Sequence, residues 1–205
     1  MIDYLQPPHS DGRRRRSQNS RDRIVAAMMA LVGEGQLSPI AEQVAERAGV
    51  GLRSVFRHFT DMDSLFAEMA AKVTLQYQPA LAPFVAPDWR GQLAESIDRR
   101  IGIFEDLLPF KRAADVHRHR SKAIEATHGI TQKLLRARLA DLLPPHLTGD
   151  SAALETLDFL LSIETWQRLR VEQGLTVAAA RAIIETQVRA LTQKGGDRCN
   201  AATPT

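Results

Sequence analysis

The three residues Gly49-Val50-Gly51 constrain this chain more than any other feature of its 205 residues. Before them, Pro39 to Ala48 carries Val44, Ala45 and Ala48 at helical spacing; after them, Leu52 to Phe59 carries Val55 and Phe59 one turn apart. Glycine ends a helix by taking the left-handed conformation that other residues avoid, and so short a turn folds the second helix back across the first. The sequence therefore predicts a helix-turn-helix. Val44, Ala45, Ala48, Val50, Val55 and Phe59 point inward, and the small Ala45 and Ala48 let the two helices approach closely. Arg53, Ser54, Arg57 and His58 fall mostly on other faces, which leaves cationic and hydrogen-bonding groups outward. Such groups suit a major groove, where base edges offer hydrogen bonds and phosphates line the rim. The competing reading is a helical hairpin whose polar face is merely solvated.

Charge separates these readings. Residues 1–60 hold nine Lys or Arg against six Asp or Glu, whereas the remainder balances, so the whole net charge of +3 sits in the first 60 residues. Arg13, Arg14, Arg15 and Arg16 lie in a row among Ser, Asn, Gln and Gly, a composition that buries too little to fold alone. The run reads as a flexible basic arm over residues 1–20, either solvated or in contact with nucleic acid. A basic arm beside a glycine-turn helix pair favours nucleic acid. The apolar stretch Ile24 to Val32 after the arginines imitates a secretory leader, but Asp22 and Arg23 abut it and it is too short to span a membrane. It is expected to be a buried helix. With one cysteine, Cys199, no disulfide framework is available, and a cytoplasmic setting without membrane contact is expected.

No sustained alternation of period two appears, so the fold class is all-α. Helices are expected at 22–34, 39–48, 52–59 and from about 64, with Ser38 as N-cap and Pro39 in the first position of the second. Asp61 or Asp63 caps the fourth. Three prolines between Gln78 and Pro87 mark a break, and helical patterns resume at 88–107, 109–119, 121–143, 150–173 and 176–193. The expected domains are a helix-turn-helix domain at 21–66, a larger helical domain at 67–194 and a disordered tail at 195–205.

The run Val44-Ala45-Glu46-Arg47-Ala48-Gly49-Val50-Gly51-Leu52-Arg53-Ser54-Val55-Phe56-Arg57-His58-Phe59 closely resembles the DNA-binding signature of the tetracycline-repressor (TetR) family. So does Ile24-Val25-Ala26-Ala27-Met28 before it. The resemblance covers residues 21–70. It implies a three-helix DNA-binding domain, a fourth linking helix, and a helical domain that forms a homodimer and often holds an effector. By that resemblance Leu52, Arg53 and Ser54 face bases or nearby backbone, and Phe56 and His58 face phosphates. Ser38 and Arg57 complete the expected DNA-facing set with the four arginines of the arm. Three departures stand out. Gly51 replaces a capping Ser or Thr, Phe56 replaces a tyrosine and lacks its hydroxyl, and Met62 replaces a lysine that reaches a phosphate. The function implied is a ligand-responsive repressor, dimeric on a palindromic operator in double-stranded DNA. The alternative is a helical ligand-binding or protein-interaction module whose DNA contacts have decayed.

In the C-terminal half, the apolar residues around Trp166 and the stripe Val177, Ala180, Ile184, Val188 and Leu191 are expected to build half of a four-helix bundle across a two-fold axis. An intrachain core is the other reading. Phe104, Phe110, His117, Phe159 and Trp166, near the breaks, are the expected lining of a site for a small apolar effector, with tight core packing as the rival. Enzymatic readings find little support. His117 and His119 point apart on a helix, Glu125-x-x-His128 lacks the second pair a di-iron site needs, and no glycine-rich phosphate loop occurs. No cofactor or metal is expected. The cationic residues around Arg118 to Lys122 form a helix junction that is either solvated or receptive to an anion.

Overall fold

In a computed structural model, which describes residues 9–200 and, within them, the side chains of 14–76 and 78–193, every regular element is helical and no strand occurs among the described residues. The chain divides into two compact units, one of residues 1–73 and 109–127, the other of 74–108 and 128–205.

The first unit opens with α1 (His9–Gly33), α2 (Ala41–Ala48), α3 (Leu52–His58) and α4 (Met62–Thr74). α1 begins well before Asp22, because Arg and Gln propagate a helix without the apolar periodicity by which the sequence locates one. Arg13 to Arg16 thus lie on a helix instead of an extended arm, with the side chains of Arg14, Arg15 and Arg16 exposed and that of Arg13 outside the described ones. Ile24, Met28 and Leu31 are buried on one face of α1, as their spacing requires, and α2 and α3 pack on it and on each other. Ser38 is not the N-cap of α2. The cap is Ile40, whose backbone N–H donates to the Gln43 side chain at 3.0 Å, and Pro39 lies outside the helix. Asp61 does cap α4, accepting from the Ser64 N–H at 2.7 Å.

In the second unit a 3₁₀ turn (Leu75–Tyr77) and the short α5 (Gln78–Leu81) lead into the proline-rich loop. Arg99 fixes that loop by donating to the carbonyls of Ala82 and Pro83 at 2.6 and 3.0 Å, while Glu95 accepts from the Val85 and Ala86 N–H groups. α6 (Trp89–His117) runs unbroken through Pro109, where the sequence predicts a fresh start. A proline in mid-helix forfeits one hydrogen bond to the carbonyl four residues earlier, and the surrounding burial of Phe104, Leu107 and Ala113 outweighs that loss. α7 (Lys122–Leu142) follows, then α8 (Pro145–Thr148) after the Pro144-Pro145 stop. The single helix expected from Asp150 to Gln173 is divided into α9 (Ser151–Leu160), α10 (Ile163–Gln167) and a π-helical turn (Arg168–Glu172). Ser162 makes the division, its hydroxyl accepting from the Thr165 N–H at 3.1 Å as a new N-cap.

α11 (Val177–Asn200) closes the chain, running past the Gly195 start of the expected tail; residues 201–205 lie outside the described ones. Gly174, at φ +66°, makes the turn before it. Ile184 and Val188 are 3% and 4% exposed, covered by their own chain, and Trp166 is wholly buried. These residues therefore build the core of the unit, and the stripe assigned to an intersubunit bundle is intrachain at its centre. Periodicity shows that a face is covered; it does not show by what.

Candidate nucleic-acid interface

The turn between α2 and α3 is built as its glycines demand. Gly49 adopts φ +61°, ψ 43°, and its N–H donates to the carbonyls of Ala45 and Glu46, closing α2. Two further carbonyls at this helix end, those of Ala48 and Gly49, accept from Arg23 of α1, the latter at 3.2 Å. A cation at a helix C-terminus satisfies orphan carbonyls and opposes the helix dipole, so Arg23 fixes the angle at which α3 leaves the turn. Arg47 and Glu34 form a bidentate pair at 2.6 and 2.7 Å that ties α2 to the end of α1. Arg21 holds the other end of α3, donating to the His58 carbonyl at 2.7 Å and to Glu68 at 2.8 Å while its guanidinium lies over the Phe59 ring.

Held by Arg21 at its C-terminal end and by Arg23 through the turn before it, α3 buries Val55 and leaves Leu52, Arg53, Phe56 and Arg57 exposed, with Ser54 half-buried beside them. Leu52, Arg53, Phe56 and Arg57 recur at steps of three and four, which sets them on one outward surface of the helix. Phe56, where a tyrosine is common in the family resembled, is 49% exposed without a packing role that its ring would otherwise serve. His58 is half-buried, and its Nε2 lies inside without a hydrogen-bond partner. Burial first, then the positive charges of Arg57 and Arg21, hold its pKa below the ordinary histidine value. Ser38 is exposed ahead of α2, its hydroxyl 3.2 Å from Nε2 of His117. The structure thus gathers Leu52, Arg53, Ser54, Phe56 and Arg57 on one short helix, with His58 at its inner end.

Two structures from Rhodococcus superpose on most of this chain. One is a transcriptional regulator from Rhodococcus sp. Rha1 (TM-score 0.68, 18% identity, 85% of this chain and 96% of that one). The other, provisionally assigned to the TetR family of transcriptional regulators, gives a TM-score of 0.64 at 18% identity over 84% of this chain and 98% of its own. A protein of Mesorhizobium loti MAFF303099 with the same provisional assignment gives 0.58 at 21% over 86% and 96%. The fold is that of the TetR-family regulators. No family model matches the sequence, and no curated protein matches it significantly.

In this TetR fold the five residues expected around an effector are divided between the two units. Phe110 and His117 belong to the first unit, where His117 stacks on Phe66 with ring centroids 3.8 Å apart. Phe104 and Trp166 are core residues of the second unit, and Phe159 is 64% exposed. Trp166 donates its indole N–H to Glu105 at 2.7 Å, and Arg170 grips the same carboxylate at 2.7 and 3.0 Å. The hydrogen bond from Arg170, more than that from Trp166, holds the Glu105 carboxyl below the usual range against the effect of burial. Arg21, Arg23 and Glu105 escape sequence reasoning, since each acts on a partner far along the chain and none has a diagnostic spacing. Among the described residues no group of three or more His, Cys, Asp and Glu is placed to hold a metal ion, and no helix is long and apolar enough to cross a membrane.

Proposed function

We propose that the chain is a DNA-binding transcriptional regulator of the TetR family, acting as a homodimer on a palindromic operator and released from it by a ligand. The observation that supports this is α3. A seven-residue helix is too short to be stable alone, yet the turn before it and its C-terminal end are held by arginines from α1, while its outward surface, with Arg53 and Arg57 beside Leu52 and Phe56, stays uncovered. A helix held so firmly and left so bare suits rigid insertion into a groove. Leu52, Arg53 and Ser54, at its N-terminal end, are the residues that reach base edges, and Arg57 with the exposed arginines of α1 serves the phosphates. The second helix pair, α9 with α11, supplies the dimer surface through the large apolar side chains it leaves exposed, Phe159 and Ile183.

Selection of bound duplexes from a random pool tests this reading. A two-fold symmetric consensus is expected, with half-site centres about one DNA turn apart or a multiple of it. Arg53→Ala and Ser54→Ala should then relax base preference, at about 1 to 3 kcal/mol per lost contact. Recovery of no enriched sequence would leave a helical module without operator recognition.

A further inference from the structure

The second unit carries a groove of about 410 Å³ between the N-terminal half of α6 and the C-terminal half of α11. Its floor is apolar, made by Leu93, Ile97 and Val188, all nearly fully buried, and Trp89 forms one wall. Its rim is charged, and unevenly so. Asp98 and Glu185 both pair with the single Arg181, which consumes the acidic groups of the groove. Arg90 and Arg189 also line it, and neither has a carboxylate partner among the described residues. The Arg90 guanidinium lies 4.3 Å from the centre of the Trp89 ring, so a cation and an aromatic face are presented together. An apolar trough of this size with two uncommitted guanidinium groups at its edge matches a ligand with one anionic head and an apolar body.

We infer that this groove binds an amphipathic monocarboxylate of medium chain length, its body along Leu93, Ile97 and Val188 and its head on Arg90 and Arg189. That such a ligand acts as the effector rests on the regulator reading; its binding does not. None of the five residues singled out from the sequence as effector lining takes part in this groove.

The chain has two tryptophans, and the wholly buried Trp166 is out of reach of a contact quencher, so quenching by 2-bromodecanoate, whose bromine lies beside the carboxylate and hence near Arg90, reports Trp89. Titration of the full chain, without DNA, is expected to give saturable quenching. The paired substitution Arg90→Ala and Arg189→Ala should weaken binding ~10-fold or more, the loss expected for a charge-assisted contact. The alcohol of the same length with bromine at the same carbon should bind intact protein as weakly as the acid binds that variant. Ala94→Phe, on an exposed residue of the groove, should fill it without adding a tryptophan and abolish quenching with an unchanged circular dichroism spectrum. Equal affinity for acid and alcohol, no effect of the paired substitution, or persistent quenching in Ala94→Phe would each overturn the proposal. So would protection of Trp89 that grows with protein concentration alone, which would assign the groove to a second copy of the chain. Because no DNA is present, these outcomes are independent of whether the chain recognises an operator.

Discussion

Glu105 satisfies two groups at once, the indole N–H of the wholly buried Trp166 and the guanidinium of Arg170. Glu105→Ala strands the first inside the core and deprives the second of its counter-charge. An unsatisfied buried donor costs about 1 to 3 kcal/mol, and the partly exposed ion pair adds to it. The expected loss is about 2 to 3 kcal/mol, read from the denaturation midpoint, with Glu105→Gln losing less because its amide oxygen can still accept from Trp166. A loss below about 0.5 kcal/mol for Glu105→Ala would mean that water replaces the carboxylate at no cost. His58 gives a prediction in pH. Its folded pKa lies below its ordinary value, through burial and then the charges of Arg57 and Arg21, so the unfolded chain binds the proton more readily. The stability that neutral His58 contributes is present above the ordinary value near 6.5 and is lost as the pH falls through the lower folded value. His58→Gln should remove that part of the acid destabilisation, as seen by comparing midpoints of the two proteins between neutral and mildly acidic pH.

Within the proposed dimer surface, α11 leaves apolar side chains uncovered. Ile183 is 41% exposed beside the fully covered Ile184, and Val177 is exposed a turn and a half earlier. Ile183→Glu is therefore expected to yield a folded monomer by sedimentation, whereas Ile184→Glu should lose the fold itself, since burying a charge costs far more than the ~2 kcal/mol that burying isoleucine supplies. A dimeric Ile183→Glu protein would move the interface elsewhere. This pair also marks the limit of what the sequence tells. The turn at Gly49 was legible because glycine, small residues and spacing all act locally there. The stripe through Ile184 and Val188 was legible as buried and wrongly assigned to a partner, because the covering residues come from elements distant in sequence. Pro109 misled in the opposite direction: it is a strong local stop signal, overridden by the burial of the helix around it. Ser162 divides an apolar helix with an N-cap that a continuous periodic pattern conceals. Leu52, Arg53, Phe56 and Arg57 were readable on α3, while the arginines that hold α3 in place were not, as their roles exist only once α1 is folded against it.

At the scale of the whole molecule, the proposed function as a regulator turns on charge and on symmetry together. The net positive charge is concentrated in the first 60 residues, and the arginines at 14–16 stand exposed on the helical extension of α1. Each phosphate neutralised releases counterions, so the slope of log affinity against log salt falls by about 0.9 per contact. Replacing Arg13 to Arg16 by serine should therefore flatten that slope by up to about 3.6 units while leaving the preferred sequence unchanged, because phosphate contacts position the protein without reading bases. An unchanged slope would show that the extension does not touch DNA. Ile183→Glu should act differently on the same duplex. A monomer occupies one half-site and forfeits the effective concentration that a joined second recognition helix supplies, a loss of roughly 10²- to 10⁴-fold. Affinity for a single half-site, measured at low salt where it becomes detectable, should meanwhile stay as it was. The two variants thus separate the contributions: the first changes the salt slope at fixed stoichiometry, the second changes stoichiometry at a nearly fixed slope per subunit. If Ile183→Glu instead bound the full palindrome as tightly as the unaltered protein, operator recognition would not depend on this surface, and the α9–α11 dimer would have to be abandoned.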